Sequence, residues 1–217
     1  PPDGRFTKRV SFDTFSNPDA SIYSLTLKMK HKDYKYTRRS RTFLIGFDNN
    51  EYSTSALEWL IDTFADDGDE IIALRVVEPK SKLADEKTVE PYRMEARKII
   101  DQVVEKNDED KEISIIVELA VGNVKTLLMH MIHLYHPDSL IVGTRGRSLN
   151  GIAGVLPGSM SKWCLQNSPI PVIVVRPDRK RNKMKSKRQR DPNRRSYLEI
   201  LEKTSSFEDL TQIFSKA

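Results

Sequence analysis

The sequence predicts an α/β fold in which a five-stranded, mainly parallel sheet carries helices on both faces. Three observations predict it. Short apolar runs recur between residues 42 and 175, each as long as a strand buried on two sides. Longer stretches between them repeat their apolar residues at the helical period. The two patterns alternate, and right-handed crossovers convert such alternation into a parallel sheet covered above and below.

The elements follow in order. Within Arg41 to Asp48, the run Phe43-Leu44-Ile45-Gly46-Phe47 is the first strand and ends at Asp48. Asn49 and Asn50 make a turn; Ala56, Leu57, Leu60, Ile61 and Phe64 then mark one helix face, which Ser53 or Ser55 can cap. Asp66-Asp67-Gly68-Asp69 ends this helix, and Ile71 to Val77 is the second strand, closed by Glu78-Pro79. A charged loop leads to a helix with Pro91 near its start and a stripe at Ala96, Ile99, Ile100, Val103 and Val104. Ser114 to Leu119 is the third strand and Gly122 a turn. Val124, Leu127, Leu128, Met131 and Ile132 form a helix that ends before Pro137. Leu140 to Val142 is the fourth strand. A glycine-rich loop precedes a helix carrying Met160, Trp163 and Cys164, and Pro171 to Val175 is the fifth strand.

At 217 residues the chain has room for one domain of ordinary size with appendages. We expect a largely irregular extension over 1–39 with one short strand at Ser21 to Leu27, a domain over 40–177, a basic linker over 178–196 and a helical segment over 197–217. Pro1 in place of Met is expected of a fragment or a processed chain. No apolar run approaches a membrane span. Cys164 is the only cysteine, which excludes an intrachain disulfide and fits a reducing cytosolic or nuclear location.

The net charge of +5 is unevenly spread. Arg176 to Ser196 holds eleven Lys or Arg against Asp178 and Asp191, a local +9 that leaves −4 for the rest. A mildly acidic domain with a basic tail is not a basic nucleic-acid-binding domain. The tail has too little apolar surface to fold alone and reads as a solvated linker, a nuclear localisation signal or a contact for an acidic partner. Beyond it, Leu198, Ile200, Leu201, Phe207, Leu210, Ile213 and Phe214 suggest a short helix pair. Ser11 after Lys8-Arg9-Val10, and Ser196 after Arg194-Arg195, have the form of basophilic kinase sites.

The most informative stretch runs from Gly143 to Ser161. A strand, a glycine-rich turn and a helix start make an anion cradle, because glycines admit the close approach of amide N–H groups and a helix N-terminus offers unpaired donors. In open parallel sheets ligands sit beyond the carboxyl ends of the strands where the strand order reverses. Asp48 is placed there to accept from a ribose hydroxyl or an adenine edge, the backbone at Val76 and Val77 to meet a purine, and Gly143 to Ser161 to hold phosphates. For the glycines the alternative is a plain turn; for Ser159, Ser161 and Asp48 it is a cap.

The motifs Thr-Phe-Leu-Ile-Gly-Phe-Asp at 42–48, Ala-Val-Gly-Asn at 120–123, Leu-Ile-Val-Gly-Thr-Arg-Gly at 140–146, Gly-Ser at 158–159 and Ser-Pro-Ile-Pro-Val-Ile-Val-Val-Arg-Pro at 168–177 resemble the universal stress protein family from about Arg39 to Pro177. The resemblance, close to the fungal members, implies a Rossmann-like, adenine nucleotide alpha hydrolase-like fold. Its ATP-binding branch carries Gly, two residues, Gly, nine residues, Gly and Ser/Thr. Gly143, Gly146, Gly158 and Ser159 match that signature. Arg145 lies within it, Met160 and Ser161 follow it in the phosphate and ribose region, and Asp48 matches the aspartate after the first strand. Eleven residues rather than nine separate Gly146 from Gly158 here.

The resemblance implies an ATP-binding (or AMP-binding) regulatory module of the stress response, with Mg²⁺ accompanying a triphosphate and a homodimer formed through the fifth strand. Two other readings stay open: a dimeric interaction scaffold whose lengthened loop has lost the nucleotide, and a weak ATP hydrolase. Neither a Walker motif nor a Gly-x-Gly-x-x-Gly follows the first strand, and no residue pattern assigns catalysis. His130, His133 and His136 are tempting as metal ligands, but two lie on a helix and the third beside its end, so we assign no metal site.

Overall fold

The computed structural model describes residues 6–15, 17, 19–20, 22–78, 86–107, 109–144, 147–148, 155–156 and 159–177. The chain divides into two units, Pro1–Pro177 and Asp178–Ala217. The basic linker and helical segment expected over 178–217, and Ser196 with them, lie outside the described residues.

In chain order the elements are β1 (Phe6–Asp13), β2 (Tyr23–His31), β3 (Thr42–Gly46), α1 (Glu51–Trp59), β4 (Glu70–Val77), α2 (Glu86–Glu105), β5 (Ser114–Val121), α3 (Val124–Tyr135), β6 (Ser139–Gly143), β7 (Arg147–Ser148), β8 (Val155–Leu156), α4 (Ser159–Asn167) and β9 (Val172–Val175). The five strands expected from the apolar runs are β3, β4, β5, β6 and β9, and all four of their pairings are parallel. The main sheet nevertheless has seven strands, in the order β1-β2-β5-β4-β3-β6-β9.

The extension over 1–39 is therefore not largely irregular. β2 pairs antiparallel with β5 along its length, Tyr23 opposite Val121 and Lys30 opposite Ser114, and β1 pairs antiparallel with β2. Its Leu25, Leu27 and Met29 are buried on one face, while Thr26 and Lys28 meet Glu118 and Glu70 with hydrogen bonds of 2.8 and 2.7 Å. Polar residues buried by pairing with polar partners leave a weak hydropathy signal. The short strand expected at Ser21 to Leu27 overlaps only the first half of β2, and β1 was hidden because a bulge between Val10 and Phe12 breaks its alternation.

Each central strand feeds two cores, as residues alternate across the sheet. Phe43, Ile45, Ile71, Ala73, Ile115 and Val117 pack with Leu57, Ile99 and Ile100 of α1 and α2. Leu44, Ile72, Ile116 and Leu140 pack with Leu128 and Met131 of α3 and Cys164 of α4. Burial pushes the Cys164 thiol up to about 11, so it serves as a small apolar side chain rather than a nucleophile.

Three helix details depart from the sequence expectation. Asn50, not Ser53 or Ser55, caps α1: its side chain accepts from the amides of Tyr52 and Ser53 at 3.1 and 3.0 Å, and Ser53 closes a capping box in return. After Trp59 the helix widens into a π-helical turn over Leu60–Phe64, where the Ala65 amide donates to the Leu60 carbonyl at 2.8 Å. α2 begins at Glu86, which puts Pro91 inside the helix rather than at its start. Proline can donate no intrahelical bond there, so one rung of the ladder is missing.

Candidate functional site

The chain winds outward from β3 through β4 to β5, then returns to the other side of β3 with β6 and β9. The reversal lies between β3 and β6, where ligands enter sheets of this kind. Asp48, Val76 and Val77, and Gly143 with Thr144 sit at or just past the carboxyl ends of β3, β4 and β6.

At the end of β3, the Phe47 amide donates to the Leu74 carbonyl at 2.9 Å, the last bond between β3 and β4. Asn49 takes a left-handed conformation with φ of 49°, which asparagine tolerates. The Ser53 hydroxyl accepts from the amides of Asp48 and Asn50, both at 3.2 Å. The turn that presents Asp48 is thus locked to the first turn of α1.

Asp48 is exposed, yet its carboxylate already has a cation. Arg75 on β4 donates through Nη1 to Asp48, through the same atom to the Val76 carbonyl at 3.1 Å, and through Nε to Glu95 of α2 at 2.7 Å. Sequence reasoning missed Arg75. Its signal was a lone arginine inside the apolar run Ile71 to Val77, two residues before the strand's end. Val77 is spoken for on its carbonyl side, where it accepts from Gly122 at 3.0 Å. Since strand residues alternate their hydrogen-bonding edges and Leu74 faces β3, the backbone of Val76 faces the space past the end of β3.

Gly143 is the last residue of β6. A Cβ added there would lie 2.3 Å from the Tyr52 carbonyl oxygen, 2.7 Å from its carbon and 3.1 Å from the Ser53 nitrogen. The first turn of α1 therefore rests directly on the end of β6, and glycine is required for that contact. The next residue, Thr144, is buried, and its amide donates to the Val175 carbonyl at 3.0 Å.

Arg145, Gly146 and Gly158 lie outside the described residues. Within the lengthened loop, however, β7 and β8 pair antiparallel, Arg147 opposite Leu156 and Ser148 opposite Val155. Sequence reasoning missed this hairpin, because two-residue strands carry no periodicity. Arg147 directly follows Gly146 and Leu156 lies two residues before Gly158, so the ladder couples the two flanks of the loop. Ser159 opens α4 and is exposed, Met160 is half-buried against the second core, and Ser161 is buried.

The three histidines of α3 do not converge. His130, His133 and His136 are exposed, His133 Nδ1 lies 2.7 Å from the Met129 carbonyl oxygen, and His136 forms the left-handed C-cap of α3. Among the described residues, no three His, Cys, Asp or Glu side chains come together as metal ligands. No helix among them is long and apolar enough to cross a membrane.

Comparisons with known proteins agree with the motifs. The chain is 55% identical over 206 residues to a universal stress protein A family protein of Schizosaccharomyces pombe, covering 94% of this chain and 67% of that one. A universal stress protein family protein of Arabidopsis thaliana solved with AMP bound is similar over 64% of this chain and 92% of its own, with 16% identity and a TM-score of 0.45. A universal stress protein solved in complex with cAMP matches over 64% and 98%, with 22% identity and a TM-score of 0.45. The model of the Universal stress protein family matches residues 39–176, and with that match spanning more than half of its length, the chain belongs to this family.

Proposed function

We propose that the domain binds an adenine nucleotide, ATP or AMP, at the carboxyl ends of β3, β4 and β6 and acts as a nucleotide-dependent regulatory module in the stress response. The observation that supports this reading is the position of Asp48, Val76 and Gly143 at the carboxyl ends of three neighbouring strands, beside the reversal of strand order between β3 and β6. In it, Asp48 accepts from the ribose or the base, the Val76 backbone meets the purine, and Gly146, Gly158, Ser159 and the start of α4 offer amides to phosphate. Arg145, Met160 and Ser161 line the phosphate and ribose side. Mg²⁺ would be held chiefly by phosphate oxygens and water. The β7–β8 pairing supports the reading, because it couples the two flanks of the lengthened loop.

A second reading has an observation of its own. The space left by the missing Gly143 side chain is filled by Tyr52, and Asp48 is engaged by Arg75. Both suit a scaffold that no longer takes nucleotide. In either case β9 is an edge of the sheet, and its Val172, Ile173 and Val174 are half-buried, which supports a symmetric dimer through that strand. The basic tail would serve an acidic partner, a kinase or nuclear import.

Equilibrium dialysis of the whole chain against ATP with Mg²⁺, and against AMP, tests the choice. One nucleotide per chain, weakened in Ser159→Ala, supports the regulatory module; none at millimolar ligand leaves the scaffold. Release of phosphate from bound ATP in the same samples would favour the hydrolase.

A further inference from the structure

We propose that Ser11 is a phosphoacceptor for a basophilic Ser/Thr kinase, presented on the outer edge of the sheet by the bulge in β1. The inference does not depend on nucleotide binding. It joins a sequence motif to three features of the strand that carries it.

The first feature is position. β1 ends the strand order, so only one of its edges is paired in the sheet. The second is register. Val10 lies opposite Leu27 and Phe12 opposite Thr26, so the ladder skips Ser11, which stays extended without a cross-strand partner. The third is exposure: Thr7, Arg9, Val10, Ser11, Phe12 and Asp13 are all exposed, with Val10 at 61% and Phe12 at 59% despite their apolar character.

Those features match what such a kinase reads. Its groove takes an extended segment, neutralises cationic side chains before the acceptor with its own carboxylates, and seats an apolar residue just after it. Here Lys8 and Arg9 stand three and two positions before Ser11, and Phe12 stands one after. From Arg9 to Asp13 the residues are exposed, so this stretch is held at the sheet edge chiefly by its backbone ladder to β2, which is interrupted at Ser11. The anchors of β1 are at the two ends: Phe6 sets its ring edge against His31 at 5.3 Å, and Asp13 accepts from Arg93 at 2.8 Å. Thr14, three residues on, makes the contrast. It is buried, and its hydroxyl donates to the Ile22 carbonyl at 2.8 Å and accepts from the Ser24 amide at 2.8 Å.

In the transfer step, Ser11 Oγ bonds to the γ-phosphorus of an ATP held by the kinase as the bond to the β-phosphate oxygen breaks. ADP leaves, and the hydroxyl proton passes to the kinase's catalytic carboxylate.

The test incubates the whole chain with the catalytic subunit of cyclic-AMP-dependent protein kinase and Mg·ATP, followed by phosphopeptide mass spectrometry. Phosphate is expected on Ser11 and missing from Ser11→Ala. Arg9→Ala should slow incorporation at Ser11 about tenfold or more, the rate equivalent of one charge-assisted hydrogen bond. Since Arg9 is exposed, that variant keeps its fold, which circular dichroism checks. A peptide of residues 6–14 serves as the unfolded reference. Phosphorylation of the peptide but not of Ser11 in the whole chain would overturn the proposal, as would incorporation confined to Ser196 or a rate unchanged in Arg9→Ala.

Discussion

The two ends of the parallel strands are built from the same residue types but differ in closure. At the amino end, the buried carboxylate of Asp69 accepts from the Arg41 amide at 2.8 Å, the Arg41 guanidinium at 2.6 Å and the Asp66 amide at 2.9 Å. Arg41 is held further by the Phe64 carbonyl at 2.9 Å and stacks over Phe43 and Phe64. Nearby, Lys111 caps three carbonyls at the end of the α1 π-turn, those of Ile61, Asp62 and Ala65. At the carboxyl end, Asp48 is exposed, its arginine is shared with Glu95, and Val76 lies past the last bond between β3 and β4 with its carbonyl accepting from Arg75. Both arginines are shared between two carboxylates, Arg41 between Asp69 and Asp66. What differs is the carboxylate: that of Asp69 is buried and fixed by two backbone amides, whereas that of Asp48 is 67% exposed and can exchange partners. That contrast is the physical ground on which we propose the site at the carboxyl end.

The largest expected effect tests the closed end. Asp69→Ala would leave a guanidinium and two amides without their shared acceptor. It should destabilise the domain by about 3 kcal/mol or more, read as a lower midpoint in urea unfolding. A loss under about 1 kcal/mol would mean that the two ends do not differ in this way.

Gly143→Ala strikes the contact between the end of β6 and the first turn of α1. The added methyl would meet the Tyr52 peptide, and the strain should lower stability by about 1–3 kcal/mol, seen in thermal unfolding. Nucleotide affinity should fall with it, whereas on the scaffold reading stability alone would change.

A third test lies midway, where the extension covers β5. Glu118 is buried, and burial raises its carboxyl above the ordinary range against the opposing hydrogen bonds from Tyr135 and Thr26. The folded state therefore keeps this proton more tightly than the unfolded chain. Its contribution to stability is complete below the ordinary glutamate range and is lost as pH rises through the raised value. Glu118→Gln keeps both acceptor contacts without titrating, so its stability relative to the parent should grow from pH 4 to pH 7 in denaturant titrations. A difference flat with pH would contradict the shift.

The smallest effect on stability belongs to the open end. Asp48→Asn removes an exposed charge and should change unfolding by less than about 1 kcal/mol. Nucleotide affinity should drop by about tenfold, as expected for one lost charge-assisted hydrogen bond. A stability loss as large as that of Asp69→Ala would erase the contrast between the ends.

Much of this fold was legible beforehand for a simple reason. β3, β4, β5 and β6 bury central residues on both faces and β9 is wholly apolar, so each reads as a mainly apolar run, and α3 carries both its apolar stripe and its stop before Pro137. What escaped was encoded in pairings rather than in runs. β2 buries Thr26 against Glu118, β1 changes face at its bulge, and β7 and β8 are two residues each. Ser53 and Ser55 were the caps expected, with Asn50 assigned to the turn, and only backbone geometry made Asn50 the cap.

By itself, the sequence determined the alternating strands and helices, the family, and the loops that carry candidate ligand groups, since these depend on residues close in the chain. Tertiary structure alone decided that residues 6–31 complete the sheet, that Asp48 is shared with Arg75 twenty-seven positions away, and that Gly143 makes room for Tyr52. These are contacts between distant segments. Their energy resides in desolvation and complementary shape, which no local pattern of residues records.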